Sequence, residues 1–144
     1  MIAVDSNILV HAHRRDSQWH EPAKACVDGL AESPATWAIP WTCLHEFLAV
    51  VTRERVFVPP TTLPKALEQV ASWCASPSLL LLSESGGYEQ ILTSVLGRSK
   101  VTGSKIHDAR VAAVCLHHGV RELLTADRDF TRFQGLKTRN PLIA

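Results

Sequence analysis

Hydrophobic residues along this chain alternate between short continuous runs and stripes at helical spacing. Residues 1–4 form an apolar run that stops at Asp5, which reads as a strand. Ile8, Leu9 and Ala12 then recur at helical spacing over 7–13, with Ser6 or Asn7 as the N-cap. A second helix is expected over about 21–32, with Pro22 in its first turn, and Ser33-Pro34 stops it. Residues 36–39 read as the next strand, ended by Pro40. From 41 to about 54, Leu44, Phe47, Leu48 and Val51 form the stripe of a third helix, before Pro59 and Pro60 break the pattern.

The second half repeats the alternation. A helix is expected over 63–75, a buried strand at "SLLLL" (78–82), and a helix opened by Gly86-Gly87 and reaching about 98. "KVTGS" is a connection, and Ser104 is placed to cap a helix running to about 118 and ending at Gly119. Apolar residues go almost all the way round that helix, so it should be buried. Residues 122–126 complete the strands, "FTRFQG" reads as a turn of helix, and "NPLIA" is the tail.

Short strands alternating with helices imply βαβ units, an α/β fold with a mainly parallel central sheet covered on both faces. In such open sheets, ligands sit beyond the carboxyl ends of the strands where strand order reverses. Asp5 and Asp127 each follow a strand and so fall on that edge.

With 144 residues, 46% of them hydrophobic and 20% charged, the chain is expected to fold as one domain spanning 1–144. A formal charge of +1 excludes a basic coat that would hold nucleic acid by bulk electrostatics, so any polyanion must be met locally. No apolar run approaches the roughly 18 residues of a membrane span, and no secretory leader pattern is present, so a cytoplasmic protein without membrane association is expected. Cys26, Cys43, Cys74 and Cys115 are too dispersed for a metal knuckle and read as reduced thiols, with two disulfides as the alternative.

Two further acids sit in helices expected to be buried. Asp108 has Val111, Ala112 and Cys115 on its face, and Glu46 has Thr42, Ala49 and Val50. A buried carboxylate needs a partner, a hydrogen bond or a metal. One acidic pocket built from Asp5, Glu46, Asp108 and Asp127, with Asp129 close by, satisfies that need jointly. Oxygen-only sites suit magnesium or manganese, whose charge relieves the repulsion and whose bound water attacks phosphorus. Phosphodiester hydrolysis is the chemistry suggested, and the sequence offers no glycine-rich phosphate loop, serine elbow or HExxH helix as a competitor.

The segments "MIAVDSNILV", "LHEFL", "HDARVAA" and "LLTADRDF", in that order, resemble the PIN-domain ribonucleases, and in particular the VapC-like toxins of toxin–antitoxin pairs. The resemblance implies a three-layer α/β/α sandwich. It also implies a magnesium- or manganese-dependent endoribonuclease, inhibited by a cognate antitoxin and usually a homodimer. By position, the family's metal-binding acids correspond to Asp5, Glu46, Asp108 and Asp127, its second polar residue to Asn7, and its site hydroxyl to Thr125. No family motif falls between Pro59 and Gly87.

Simpler readings compete for individual residues. Asp5 could end a strand by accepting backbone hydrogen bonds, and Glu46 could lie on a solvated stretch. Asp129 is expected to cap the turn at Phe130 rather than to ligate metal, and Asn7 could cap its helix. His107 adjoins Asp108, but neighbouring helical residues diverge by about 100 degrees, so a shared site is not required. For RNA phosphates, Lys105 and Arg128 rank ahead of Arg14 and Arg15, with Arg98, Lys100, Arg110 and Arg132 behind. Unpaired RNA is the substrate expected, with Trp19, Trp41 and Trp73 as candidate stacking platforms. Two other functions remain open on sequence alone: a non-catalytic RNA- or protein-binding module, and a small phosphatase.

Overall fold

The computed structural model describes residues 1–143. Five strands, β1 (Ile2–Val4), β2 (Trp37–Pro40), β3 (Leu79–Leu82), β4 (Glu122–Leu124) and β5 (Lys137–Arg139), form one sheet in the order β3-β2-β1-β4-β5. Every pairing is parallel: Ile2 faces both Trp37 and Glu122, Trp37 faces Leu79, and Glu122 faces Lys137. The central strands are apolar on both faces, and Ala3, Trp37, Ala38, Ile39, Leu123 and Leu124 are fully buried. Such burial requires cover above and below.

Six helices supply the cover: α1 (Ser6–His13), α2 (His20–Glu32), α3 (Trp41–Val51), α4 (Leu63–Cys74), α5 (Tyr88–Ser99) and α6 (Lys105–His117). They form two packed sets, α1 against α2 and α3 with α4 on α3, and separately α5 against α6. Phe47 of α3 anchors the first set, with its ring 4.8 Å from Trp73 and 5.4 Å from His13, both edge-on. In α6, Ala109 and the run Val111 to Cys115 are buried, as its all-round apolar pattern requires.

The structure departs from the sequence reading at four places. Helix α1 starts at Ser6 because Asp5 is its N-cap, accepting the Ser6 N–H at 2.8 Å. Helix α3 stops at Val51, where the Thr52 hydroxyl takes the Leu48 carbonyl at 2.7 Å and competes with further helix. β3 is an edge strand rather than a buried one, and Leu80 is 46% exposed. β5 is an additional strand whose sequence, Lys-Thr-Arg, lacks any apolar run. Its charges suit an edge, and both Lys137 and Arg139 pair with Glu122 on β4. The tail reading extends to Ala144, which lies outside the described residues.

All four cysteines are free, Cys43 and Cys115 buried and Cys74 exposed. Burial pushes the Cys115 thiol up to about 12, and burial followed by the charge of Asp5 pushes Cys43 well above its ordinary value. At mildly alkaline pH, a thiol-specific reagent should therefore label Cys74 in the native protein and reach Cys43 and Cys115 only after unfolding. The same shifts fix a sign for stability. The folded state keeps these protons while an unfolded thiol releases them near 9.0, so denaturant midpoints should fall as pH rises from about 9 toward 12. A Cys43→Ala, Cys115→Ala double variant should lose most of that slope.

Candidate active site

Strand order reverses direction between β1 and β4, and the candidate site lies beyond their carboxyl ends. β1 delivers Asp5 and β4 delivers Thr125 to Asp127, side by side because Val4 and Leu124 are register partners. The Asp5 N–H donates to the Leu124 carbonyl at 3.0 Å, and the Thr125 N–H donates to Arg139 of β5 at 3.0 Å. Each strand thus holds the first residue of its neighbour's site loop.

A polar network ties the two strand ends together. Asp5 is 4% exposed, and its Oδ1 accepts the Ser6 N–H while its Oδ2 accepts the Thr125 hydroxyl at 2.8 Å and Asn7 Nδ2 at 3.2 Å. Asn7 Nδ2 also reaches Thr125 Oγ1 at 3.1 Å, and its Oδ1 accepts the Ala126 N–H at 3.1 Å. The Asp127 N–H donates to Thr125 Oγ1 at 3.0 Å. Asn7 therefore braces the loop after β4 instead of capping its helix, and Thr125 belongs to the network rather than to the apolar core. Burial raises the Asp5 pKa, and its hydrogen bonds, led by that of Thr125, act in the opposite sense.

Asp5, Glu46, Asp108 and Asp127 all line one cleft of about 510 Å³. Asp108, in the first turn of α6, is half-buried, and its pKa is raised first by burial and then by the charge of Asp127. Glu46 is exposed on α3 rather than buried, because Cys43, Leu44 and Phe47 take the inward face. Its charge still acts on both Asp5 and Asp108.

The cap expected of Asp129 falls to Asp127, which also lines the cleft. Asp127 caps the short 3-10 helix Arg128–Arg132, accepting the Asp129 N–H at 2.9 Å. The freed Asp129 carboxylate turns to α6, where Lys105 grips it and lowers its pKa, and its oxygen lies with those of Asp108 and Asp127 inside a 4.8 Å cluster. Lys105 also approaches Asp108 Oδ2 at 3.9 Å. Arg128 and Arg15 are exposed, as phosphate contacts would need. Arg14 is engaged elsewhere: it pairs with Asp16, donates to Thr61 at 3.2 Å and lies 4.4 Å over the Phe57 ring. Among the tryptophans, Trp73 is buried against Phe47 and Trp19 is half-buried, which leaves Trp41 exposed.

Sequence reasoning set aside His107 and gave His11 no site role, and the fold brings both to the cleft. His107 lines the cleft together with Asp108, and His11 lines it from α1. The angular argument against His107 fails because Ser104, His107, Asp108 and Val111, spaced by three and four, form one face that borders the cleft. His11 was detectable as the residue one turn beyond Asn7, on the α1 face that carries Asn7.

The arrangement is one of crowded carboxylates at the carboxyl edge of a parallel sheet, with the Cys43 thiol donating to Asp5 Oδ1 at 3.5 Å and His11 and His107 bordering the cleft. The PIN domain family matches residues 2–136. The chain is 33% identical to Ribonuclease VapC43 of Mycobacterium tuberculosis over 142 residues, covering 99% of this chain and 96% of that one. It is 29% identical to Ribonuclease VapC48 of the same organism, over 95% and 94% of the two chains. Among solved structures, VapBC2 from Rickettsia felis, bound to a DNA fragment from its promoter, shares the fold with a TM-score of 0.69 at 18% identity, covering 97% and 98%. Mycobacterium tuberculosis VapC20, a sarcin–ricin loop cleaving toxin, does so with a TM-score of 0.67 at 18% identity, covering 91% and 93%. The chain belongs to the PIN-domain family, on its VapC-like branch.

Thr125 is the joint of the network, since its hydroxyl donates to Asp5 and accepts from Asp127 and Asn7. Thr125→Val keeps the shape and removes the hydroxyl, leaving Asp5 Oδ2 with Asn7 as its remaining donor and the Asp127 N–H without its acceptor. The variant should lose about 1–3 kcal/mol of stability in urea denaturation with an unchanged m-value.

Proposed function

We propose that this chain is a divalent-metal-dependent endoribonuclease and the toxin of a toxin–antitoxin pair, acting as a single nuclease domain. The cluster of Asp108, Asp127 and Asp129 oxygens within 4.8 Å, beside a cleft that Asp5 and Glu46 also line, carries the reading. The ribonuclease relatives VapC43 and VapC48 support it over nearly the full chain. A set of carboxylates in which those of Asp5 and Asp108 are pushed up, first by burial, fits a hard cation, magnesium or manganese, and Asp5, Glu46, Asp108 and Asp127 are the residues that would hold it, with Asp129 in the same cluster. Such an ion supplies an activated water and charge neutralisation at phosphorus when bound.

The chain's own residues do the rest. Asn7 and Thr125 fix the Asp5 carboxylate, so the pocket does not splay under its own repulsion. Lys105 draws Asp129 to one side and offsets part of the negative charge that an incoming phosphate must meet. Arg128, Arg15 and Lys105 would position the strand, and the exposed Trp41 would serve as a stacking surface for unpaired bases. The complex of VapBC2 supports a cognate antitoxin as the protein partner, and the assembled form we propose is a homodimer in the cytoplasm. Among the described residues no helix is long and apolar enough to cross a membrane. A purely binding role is disfavoured, since a scaffold gains nothing from half-buried like charges.

Purified protein incubated with structured and unstructured RNAs should make internal cuts in unpaired segments with magnesium or manganese. Chelator or Asp108→Asn should lower the rate by about a hundredfold or more, and the cognate antitoxin should suppress cleavage. A folded wild type as inert as the variant across the panel would reject the nuclease and leave the binding module standing.

A further inference from the structure

The acids take up only part of their cleft, whose volume of about 510 Å³ falls within the roughly 300–1,000 Å³ of pockets for organic ligands. One turn further along α1 and α3 than Asn7 and Glu46, the wall becomes apolar through Val10 and Val50, and Val56 and Phe57 continue it after α3. His11 is the polar side chain set among them. Among the described residues, no lysine or arginine lines this cleft.

His11 is held firmly and still keeps one ring nitrogen free. Four residues past Asn7, it sits about 6 Å further along the same face of α1. Its Nδ1 hydrogen-bonds the Ser17 hydroxyl at 2.6 Å, and that hydroxyl also accepts the Trp19 N–H at 3.0 Å. The His11 carbonyl accepts Nδ1–H of His20 on α2 at 3.0 Å, which fixes the backbone as well. Its Nε2 has no partner in the protein, and it is open to solvent, since Ser99 Oγ is the sole sealed side-chain polar atom without a partner among the described residues. The two nitrogens of an imidazole point in divergent directions. The bond to Ser17, in the turn after α1, therefore aims Nε2 away from that turn, on a residue that borders the cleft. Burial holds the ring's pKa below its ordinary value, so at neutral pH it is an uncharged group that donates or accepts according to its tautomer.

We propose that His11 is the residue that tells RNA from DNA, through a hydrogen bond between its Nε2 and the 2′-hydroxyl of the nucleotide next to the cut. The proposal rests on the nuclease reading for the identity of its substrate. Two features select a hydroxyl over a phosphate. Apolar neighbours and the lack of a lining cation would leave a phosphate charge uncompensated beside His11, whereas an uncharged imidazole suits an uncharged partner. A 2′-hydroxyl both donates and accepts, so it pairs with either tautomer of the ring, while a phosphate oxygen accepts only. The sugar and base of that nucleotide lie against Val10, Val50 and the half-buried Phe57. Cleavage chemistry then belongs to the acids and discrimination of the sugar to α1.

Its test has two arms, each run on full-length protein shown to be folded by circular dichroism. In the first, the RNA that wild type cuts best with magnesium is remade with a single 2′-deoxy substitution at each nucleotide flanking the cut. At one of these positions the substitution should raise KM about tenfold for wild type with kcat little changed. His11→Phe, which keeps a ring and removes both nitrogens, should show that rise already on the all-ribose RNA and no further rise on the deoxy one. His11→Gln, whose amide donates or accepts, should restore most of the discrimination. In the second arm, fluorescein-labelled random strands of about 12 nucleotides, RNA and DNA, are titrated in chelator, where nothing is cut. Wild type and His11→Gln should bind RNA about tenfold tighter than DNA, and His11→Phe should bind the two alike. A 2′-deoxy effect absent from wild type, or as large in His11→Phe, overturns the assignment and leaves the nuclease standing. Variants that change only the affinity for the cognate antitoxin overturn it in favour of a protein ligand. His11-dependent preference for RNA in a protein that cuts no RNA would instead reject the nuclease reading and retain the contact.

Discussion

Repulsion among carboxylates that the fold forces together is the constraint on which the rest of this structure depends. Asp5 is buried at the end of β1, and burial and then the charge of Asp127 raise the cost of ionising Asp108 across the cleft. Left alone, such a pocket would open or take up protons. The Asp5–Asn7–Thr125 network and the Lys105–Asp129 pair hold it closed by short-range bonds that join β1, β4, the following loop and α6. Stability in this region is given up so that charge density can be kept high, a trade that makes sense where a cation is to be bound.

The parallel sheet makes that concentration possible. Adjacent β1 and β4 run in the same direction in register, so their carboxyl ends place two acidic segments at one edge although about 120 residues separate them in sequence. Burial of Ala3, Val4, Leu123 and Leu124 fixes the strands against sliding, and a slip of one residue would carry Asp5 away from Thr125. Core packing and site geometry are therefore one problem. Helix α6, buried along Val111 to Cys115, presents its first turn to the cleft for the same reason.

Much of this was legible in the sequence. An apolar run that ends abruptly in Asp5, and another that ends in Thr125-Ala126-Asp127, mark strand ends by hydropathy alone. The near-complete apolar wrap of α6 made an aspartate within it conspicuous. What stayed hidden depends on direction in space. Glu46 and Asp108 look alike in a helical stripe, yet one is exposed and the other half-buried, because the inward face of α3 is set by its packing on Trp73 and β2. Asp127 and Asp129 compete for the same cap, and the geometry of the β4 loop decides between them. β5 carries no apolar signal since it closes an edge, and the arginine of "HRRD" that appeared available for phosphate is locked by Asp16, Thr61 and Phe57.

The central claim is that these acids are held together to bind a divalent cation, and a titration of manganese followed by electron paramagnetic resonance tests it without recourse to catalysis. The account predicts saturable binding by the wild-type protein that is lost in Asp108→Asn and in Asp127→Asn and is retained in Asp28→Asn, whose carboxylate pairs with Lys24 on the surface of α2. Wild-type protein that binds manganese no better than the Asp108→Asn and Asp127→Asn variants would contradict it.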